Sequence, residues 1–274
     1  MSAYEYLKEL LDARGISLIS SIPLSECKLM REYKLTRCGL DTGDNLCVYM
    51  IAVPYKCREV KSPSISEYAV CRDYHHFYNN LFLEITKKLE EKFEGYKFCG
   101  FADSSPIDEI HASARSGLGI IGKNNMLITE KYSSYVFLGE IITNYPESIF
   151  TLTEISECEN CGACQRVCPK QRYGVCLSAL TQKKGVLSIE EENIIKKYGS
   201  AWGCDICQAV CPHTKKAINE NSIYTNIDFF SEQLTPHPTR ESIENMSDSE
   251  FALRAYSWRK KETIIRNLDI LSNS

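Results

Sequence analysis

The residues best equipped for chemistry are cysteines in two blocks. These are Cys158-x2-Cys161-x2-Cys164-x3-Cys168-Pro169 and Cys204-x2-Cys207-x3-Cys211-Pro212, with Cys176 alone between them. Eight thiolates meet the needs of two 4Fe–4S cubanes at four ligands each. The first block has the bacterial ferredoxin spacing, in which the fourth cysteine serves the other cluster. That rule assigns Cys158, Cys161, Cys164 and Cys211 to one cluster, and Cys168, Cys176, Cys204 and Cys207 to the second. Tetrahedral zinc would explain one Cys-x2-Cys pair with a partner pair, but not two blocks that both close on Cys-x3-Cys-Pro. A disulfide framework would need an oxidising compartment, which nothing here suggests. The two prolines cannot continue a helix and are expected to turn the chain away from the clusters. Clusters carry electrons and rarely do organic chemistry unaided, so the remaining chain should hold something to be reduced.

A second stretch with chemical potential is Ala102-Asp103-Ser104-Ser105-Pro106, followed by Glu109 and the run Gly117 to Asn124 (GLGIIGKN). Asp103 leaves a strand just before a proline and a helix start. By position alone it reads as a helix N-cap, because aspartate there accepts backbone N–H bonds. Gly117, Gly119 and Gly122 form G-x-G-x-x-G, but they follow a helix instead of a strand, so the dinucleotide-binding context is missing. The glycines still let backbone approach something closely, and Lys123 and Asn124 supply donors.

The elements that must position these residues follow from periodicity. Tyr4 to Ala13 is an amphipathic helix stopped by Gly15, Ile16 to Ile19 a short strand, and Leu24 to Tyr33 a second helix. Asn45 to Tyr55 (NLCVYMIAVPY) is a nearly unbroken apolar run, as in a strand buried on both faces. Tyr74 to Phe93 repeats Phe77, Leu81, Ile85, Leu89 and Phe93 every four residues, a long helix. Tyr96 to Ala102, Met126 to Ile128 and Tyr135 to Ile142 read as strands, and Glu109 to Ser116 as a helix. The expected class is α/β (α+β), with strands and helices alternating around a mixed sheet. The expected domains are residues 1–150 for cofactor and substrate, 151–217 for a double-cluster ferredoxin-like domain, and 218–274 for a C-terminal helical segment. Asp228 to Leu234 and Ile243 to Ser247 alternate polar and apolar residues. Asp248 to Leu271 reads as one or two helices carrying Arg254, Arg259, Lys260, Lys261 and Arg266, either a solvated face or a polyphosphate contact.

Composition narrows the class. The chain has 274 residues, 43% of them hydrophobic, so a sizeable core is possible and disorder is excluded. The net charge of −4 and a pI near 5.8 give no overall support to nucleic-acid binding. The start lacks the basic and apolar regions of a signal peptide, and no run approaches membrane-spanning length. Fourteen cysteines without such a signal point to a reducing cytoplasm and metal ligation. Cys27, Cys38, Cys47, Cys57, Cys71 and Cys99 lack ligand spacing and read as small buried hydrophobes.

Taken together, EYAVCRDYHHFY, ADSSPIDEI, ARSGLGIIGKNNMLI, SSYVFLGEIIT and GCDICQAVCP resemble the epoxyqueuosine reductase family. Cys176-Leu177-Ser178-x2-Thr181 matches the family's segment before the second cysteine block. The resemblance is densest from Tyr68 to Pro212. It implies a cobalamin-binding α/β domain packed with a bis-cluster domain, an external low-potential electron donor, and reduction of epoxyqueuosine in tRNA or of a related electrophile. It further implies that Asp103 is a proton-donating aspartate, whose pKa would have to be raised, and that Tyr74, His75, Lys123 and Asn124 line the cofactor or substrate pocket. Departures are visible. The family's P-x-x-E-R reads Pro106-x2-Glu109-Ile110 here, and the region before Asn45 is short. The helical-repeat extension that family members use on tRNA would begin after Leu268, near the end of this sequence. An electron-transfer protein that has lost cobalamin catalysis, or a reductase using another cofactor in the same cleft, are the rival readings.

Overall fold

The computed structural model describes residues 1–43 and 45–273. They form two compact, interleaved units: residues 1–54 with 75–160, and residues 55–74 with 161–273.

The first unit is built on helices α1 (Ala3–Asp12), α2 (Tyr33–Arg37), α3 (Tyr74–Lys92) and α4 (Glu109–Arg115). Its strands are β1 (Leu18–Pro23), β2 (Cys47–Pro54), β3 (Phe98–Phe101), β4 (Ile120–Ile121), β5 (Leu127–Ile128) and β6 (Val136–Thr143). A reciprocal capping box between Ser2 and Glu5 starts α1, which buries Leu7 and Leu11. The main sheet runs β1-β2-β6-β3, and every pairing is antiparallel. This corrects the expected mixed sheet. The chain reverses between each pair of neighbours, so no parallel crossover is made. All eight residues of β2 are buried, as its apolar run requires. The α3 helix crosses one face, where Tyr78 donates to the Phe137 carbonyl at 3.1 Å. That approach depends on glycine in the sheet: a Cβ at Gly100 would lie 2.2 Å from Phe82, and one at Gly139 2.6 Å from Tyr78. The opposite face carries Val48, Met50, Ala52 and Ile142, packed with Ala112 and Ala114 of α4.

Leu24 to Tyr33 is not the expected helix. A single 3-10 turn, Leu24–Glu26, gives way to extended chain, and the amides of Met30 and Arg31 both donate to the Pro106 carbonyl. Those donors would otherwise feed a helix, so a tertiary contact overrides the local pattern.

The second unit contains α5 (Ala163–Val167), α6 (Pro169–Tyr173), α7 (Leu177–Thr181), α8 (Ile189–Tyr198), α9 (Ile206–Ala209) and α10 (Pro212–Asn219). It continues with α11 (Asp228–Ser231), α12 (Arg240–Asn245), α13 (Asp248–Ala252) and α14 (Lys261–Ser272). The polar–apolar alternation of 228–234 and 243–247 therefore belongs largely to short helices, because windows this brief cannot separate the two periods. One core gathers Trp202, Tyr256, Phe251 and Ile264, with Ile65 and Val70 from the 55–74 segment. Asn267 of α14 is fully buried and donates to the carbonyls of Thr181 and Ala201 at 2.7 and 2.8 Å, tying the C-terminal helix to the chain beside the second cysteine block. No helix among the described residues is long and apolar enough to cross a membrane.

Candidate active site and cysteine motifs

Asp103 sits in the loop between β3 and α4, with φ +61°, a left-handed conformation that non-glycine residues adopt at a cost. It is not the cap of α4. Asp108 is, accepting from the His111 amide at 3.2 Å. The positional reading of Asp103 is thus overturned by an aspartate five residues on. The loop is gripped from several sides. Lys34 holds Ser104, contacting its hydroxyl at 2.6 Å and its carbonyl, and Arg31 donates to the Ser105 carbonyl at 3.1 Å.

The Asp103 carboxylate faces His75 of α3, with Oδ2 3.6 Å from Nε2. Both side chains stay open, Asp103 64% and His75 46% exposed, so the fold of their own unit does not block a ligand seated on them. A hydrogen bond from His75 and its charge hold the Asp103 carboxyl below its ordinary value, against a smaller desolvation effect. The expectation of a raised pKa at Asp103 is therefore corrected. With an imidazole beside it, the aspartate ionises more readily than a free one. The raised carboxyls lie behind the loop. Burial pushes Glu109 up to about 7 and drives Glu140 upward as well. The sequence did carry a signal for Glu140, a charged residue inside the apolar strand VFLGEIIT.

The glycine run serves its own hairpin. A Cβ on Gly119 would meet the Ile128 carbonyl at 2.4 Å, and one on Gly122 the Asn124 side chain at 2.3 Å. The close approach is that of β4 to β5. Asn124 accepts from the Met126 amide at 3.4 Å within this turn. Lys123 pairs with Glu157 through its amine, and its backbone N–H points at the Cys158 sulfur at 3.4 Å. Ile121 bridges Glu157 and accepts from the Cys158 amide at 3.1 Å. Lys123 thus lies beside the first cysteine of the first block. Tyr74 opens α3 immediately before His75 and is half-buried.

None of the fourteen cysteines is joined in a disulfide. In the second unit the two blocks repeat one local design. A short helix carries a middle cysteine, Cys164 in α5 and Cys207 in α9, and these helices pack together. Each block then closes on an extended cysteine, Cys168 or Cys211, that N-caps a helix with proline at its first position. The prolines begin the next helix, which is how they turn the chain. Cys176 likewise precedes α7. Between Cys204 and Cys207, the buried Asp205 accepts from Ser66 Oγ and the Glu67 amide, both at 2.6 Å, and from Gln208 Nε2 at 2.9 Å. Lys56 in turn pairs with Glu67, both nearly buried. Burial raises the Cys204 thiol to about 12, so metal must displace a proton there. Among the described residues no three metal-binding side chains converge as they would around a single ion. A cubane spaces its thiolates more widely, one on each iron. The donor set fits such clusters: cysteines outside any disulfide, two of them on paired short helices, with a backbone N–H aimed at Cys158.

Among the other cysteines, Cys47, Cys57 and Cys71 are buried, and burial lifts Cys27, Cys57 and Cys99 to about 12, as inert structural thiols. The basic stretch is largely consumed internally. Arg254 donates to the Gln233 carbonyl at 2.6 Å, and Arg266 to the Lys183 carbonyl at 2.7 Å. Lys261 holds the Met246 carbonyl, while Arg259 lies over Trp258, 3.9 Å from its ring centre.

No protein-family model matches the chain. An epoxyqueuosine reductase from Lactococcus garvieae is 30% identical over 254 residues, 84% of this chain and 69% of that protein. One from Pseudomonas aeruginosa is 30% identical over 184 residues, 64% of this chain, which spans about half (49%) of that relative's length. The crystal structure of an epoxyqueuosine reductase with a tRNA-Tyr epoxyqueuosine-modified stem loop gives a TM-score of 0.71 at 22% identity, over 97% of this chain and 80% of that one. A Bacillus subtilis epoxyqueuosine reductase structure, with an aspartate catalytic loop swung out of the active site, gives 0.72 at 22% over the same shares. At these identities the structural likeness speaks for the fold, and the Lactococcus relative for the family.

Proposed function

Because the chain belongs to the epoxyqueuosine reductase family, we propose that it is an oxidoreductase that reduces the epoxide of epoxyqueuosine to the alkene of queuosine, in tRNA or in a tRNA fragment. The reaction takes two electrons and two protons and releases the epoxide oxygen as water. When bound, two 4Fe–4S clusters and cobalamin would supply the electrons. The chain's own residues bind, orient and protonate. Cys158, Cys161, Cys164 and Cys211 would hold one cluster and Cys168, Cys176, Cys204 and Cys207 the other, the Lys123 amide lending charge stabilisation to the Cys158 sulfur.

The observation that carries the reading is the Asp103–His75 pair, open to a ligand on a loop held in an unfavourable backbone conformation. Asp103 and His75 face the substrate together, and the pair delivers a proton to the departing epoxide oxygen. Tyr74, Lys123 and Asn124 are proposed to line the cofactor or substrate site. The catalytic loop of the Bacillus subtilis structure also carries an aspartate, which supports giving Asp103 that role.

The test is the visible spectrum of anaerobically reconstituted protein titrated with cobalamin, followed by turnover of an epoxyqueuosine-modified stem loop. A saturable shift of the corrin bands and formation of queuosine are expected. Cluster absorbance without any corrin response would turn the reading to an electron-transfer protein.

A further inference from the structure

Behind the Asp103 loop lie two carboxyls that the mechanism does not use. Glu140 projects from β6 directly opposite Phe101, the last residue of β3, and is fully buried. Its Oε1 accepts the Ser105 hydroxyl, whose oxygen in turn accepts the Ile107 amide at 2.9 Å. Its Oε2 is buried without a hydrogen-bond donor. Glu109, in the first turn of α4, lies against it, and Glu109 Oε1 accepts the Asp103 amide at 3.3 Å. Two carboxyls in contact, one of them fully buried and the other half-buried, strongly disfavour double ionisation, so one proton is shared between them. That proton gives Glu140 Oε2 the partner it lacks.

We propose that Glu109 and Glu140 are positioning residues for Asp103: as a carboxyl pair sharing one proton they fasten the loop through the Asp103 amide, and they release it when the proton leaves. The inference deepens the reading of Asp103 as the group that serves the substrate, and rests on that reading only for its consequence in turnover.

The surrounding charges fix the direction. Asp103 and Asp108 face Glu109 and favour keeping the proton. Lys34 of α2 favours ionisation of Glu140, while the Cys27 thiol lies nearby uncharged. Burial raises both carboxyls, and Glu109 stands at about 7, so the shared proton is present in mild acid and leaves in mild alkali. Glu140 is anchored in the sheet, whereas Glu109 sits at a helix start. Repulsion therefore displaces Glu109, and the Asp103 amide loses its acceptor.

Hydrogen exchange at the Asp103 amide, measured on the whole chain against pH, tests this. In the native protein, opening that requires loss of the proton adds about a factor of ten per pH unit to the intrinsic base-catalysed rise, until the pair is ionised. Glu140→Gln keeps an acceptor for Ser105 and presents a permanent N–H to Glu109, so the added factor should vanish and the alkaline limb of turnover should move upward. Glu109→Gln should remove the added factor too. Infrared spectra of the native protein should show a protonated carboxyl band in mild acid that is lost in alkali. An unchanged exchange profile in both variants, or no such band, would overturn the proposal even if Glu140→Gln folds poorly. If the exchange result holds while Asp103→Asn turns over normally, the latch stands and the role of Asp103 falls.

Discussion

Asp103 occupies a left-handed backbone position that glycine would fill without strain. The strain costs about 1 kcal/mol and is kept although the residue caps nothing. Two substitutions separate structure from chemistry. Asp103→Gly should leave thermal stability unchanged or raise it by up to about 1 kcal/mol, because it relieves the strain. Asp103→Asn preserves shape and removes the carboxylate that faces His75. Both should lower turnover by roughly a hundredfold to ten-thousandfold, with cluster absorbance intact. Thermal melts and single-turnover assays read the two effects independently. A variant with full turnover would leave Asp103 as a loop residue and nothing more.

At the scale of elements, the cysteine helices are too short to hold themselves, and their neighbours fix them. Asp205 hooks the second block to the 66–67 turn through three accepted hydrogen bonds. Asp205→Ala leaves buried donors unsatisfied and should cost about 2–3 kcal/mol. It should also lower iron retention at the cluster proposed for Cys204 and Cys207, as measured by iron content after reconstitution. Cys176→Ala should remove about four of about eight irons and spare the rest. Much of this level was legible in the sequence. The apolar run of β2 and the four-residue repeat of α3 are long enough to declare their periods. What stayed illegible depended on partners distant in the chain. Pro106 captures the amides of Met30 and Arg31 and undoes a plausible helix. Asp108 takes the cap that sequence position offers to Asp103. His75 inverts the expected pKa shift of Asp103.

For the whole molecule, the buried carboxyls set how stability depends on pH. Glu109 has a folded pKa of about 7 against an ordinary 4.5, so the folded chain binds the extra proton between those values. Stability is then full below about 4.5 and declines toward 7 by ~3 kcal/mol at most from this group. Burial raises Glu67 and Asp205 in the same sense, while the lowered Asp103 acts in the acid range below its ordinary 3.8. Denaturant melts across this window should slope downward with rising pH, and Glu140→Gln should flatten the part due to the pair. Charge also governs the approach of a polyanion. The chain carries −4 overall, and Arg254, Lys261 and Arg266 are spent on internal carbonyls. Arg259 and Lys260, beside a Trp258 that is 57% exposed, are what the stretch leaves for phosphate and base. Each neutralised phosphate of a single-stranded loop contributes about −0.7 to the slope of log K against log salt. Two such contacts predict a slope near −1.4, shallow for a tRNA-binding protein, with part of the affinity carried by stacking on Trp258 and hence insensitive to salt. Titrating a stem loop at several salt concentrations measures the slope directly. A value several-fold steeper would show that cations elsewhere on the chain line the path of the tRNA, and would move the search for its contact surface away from α14.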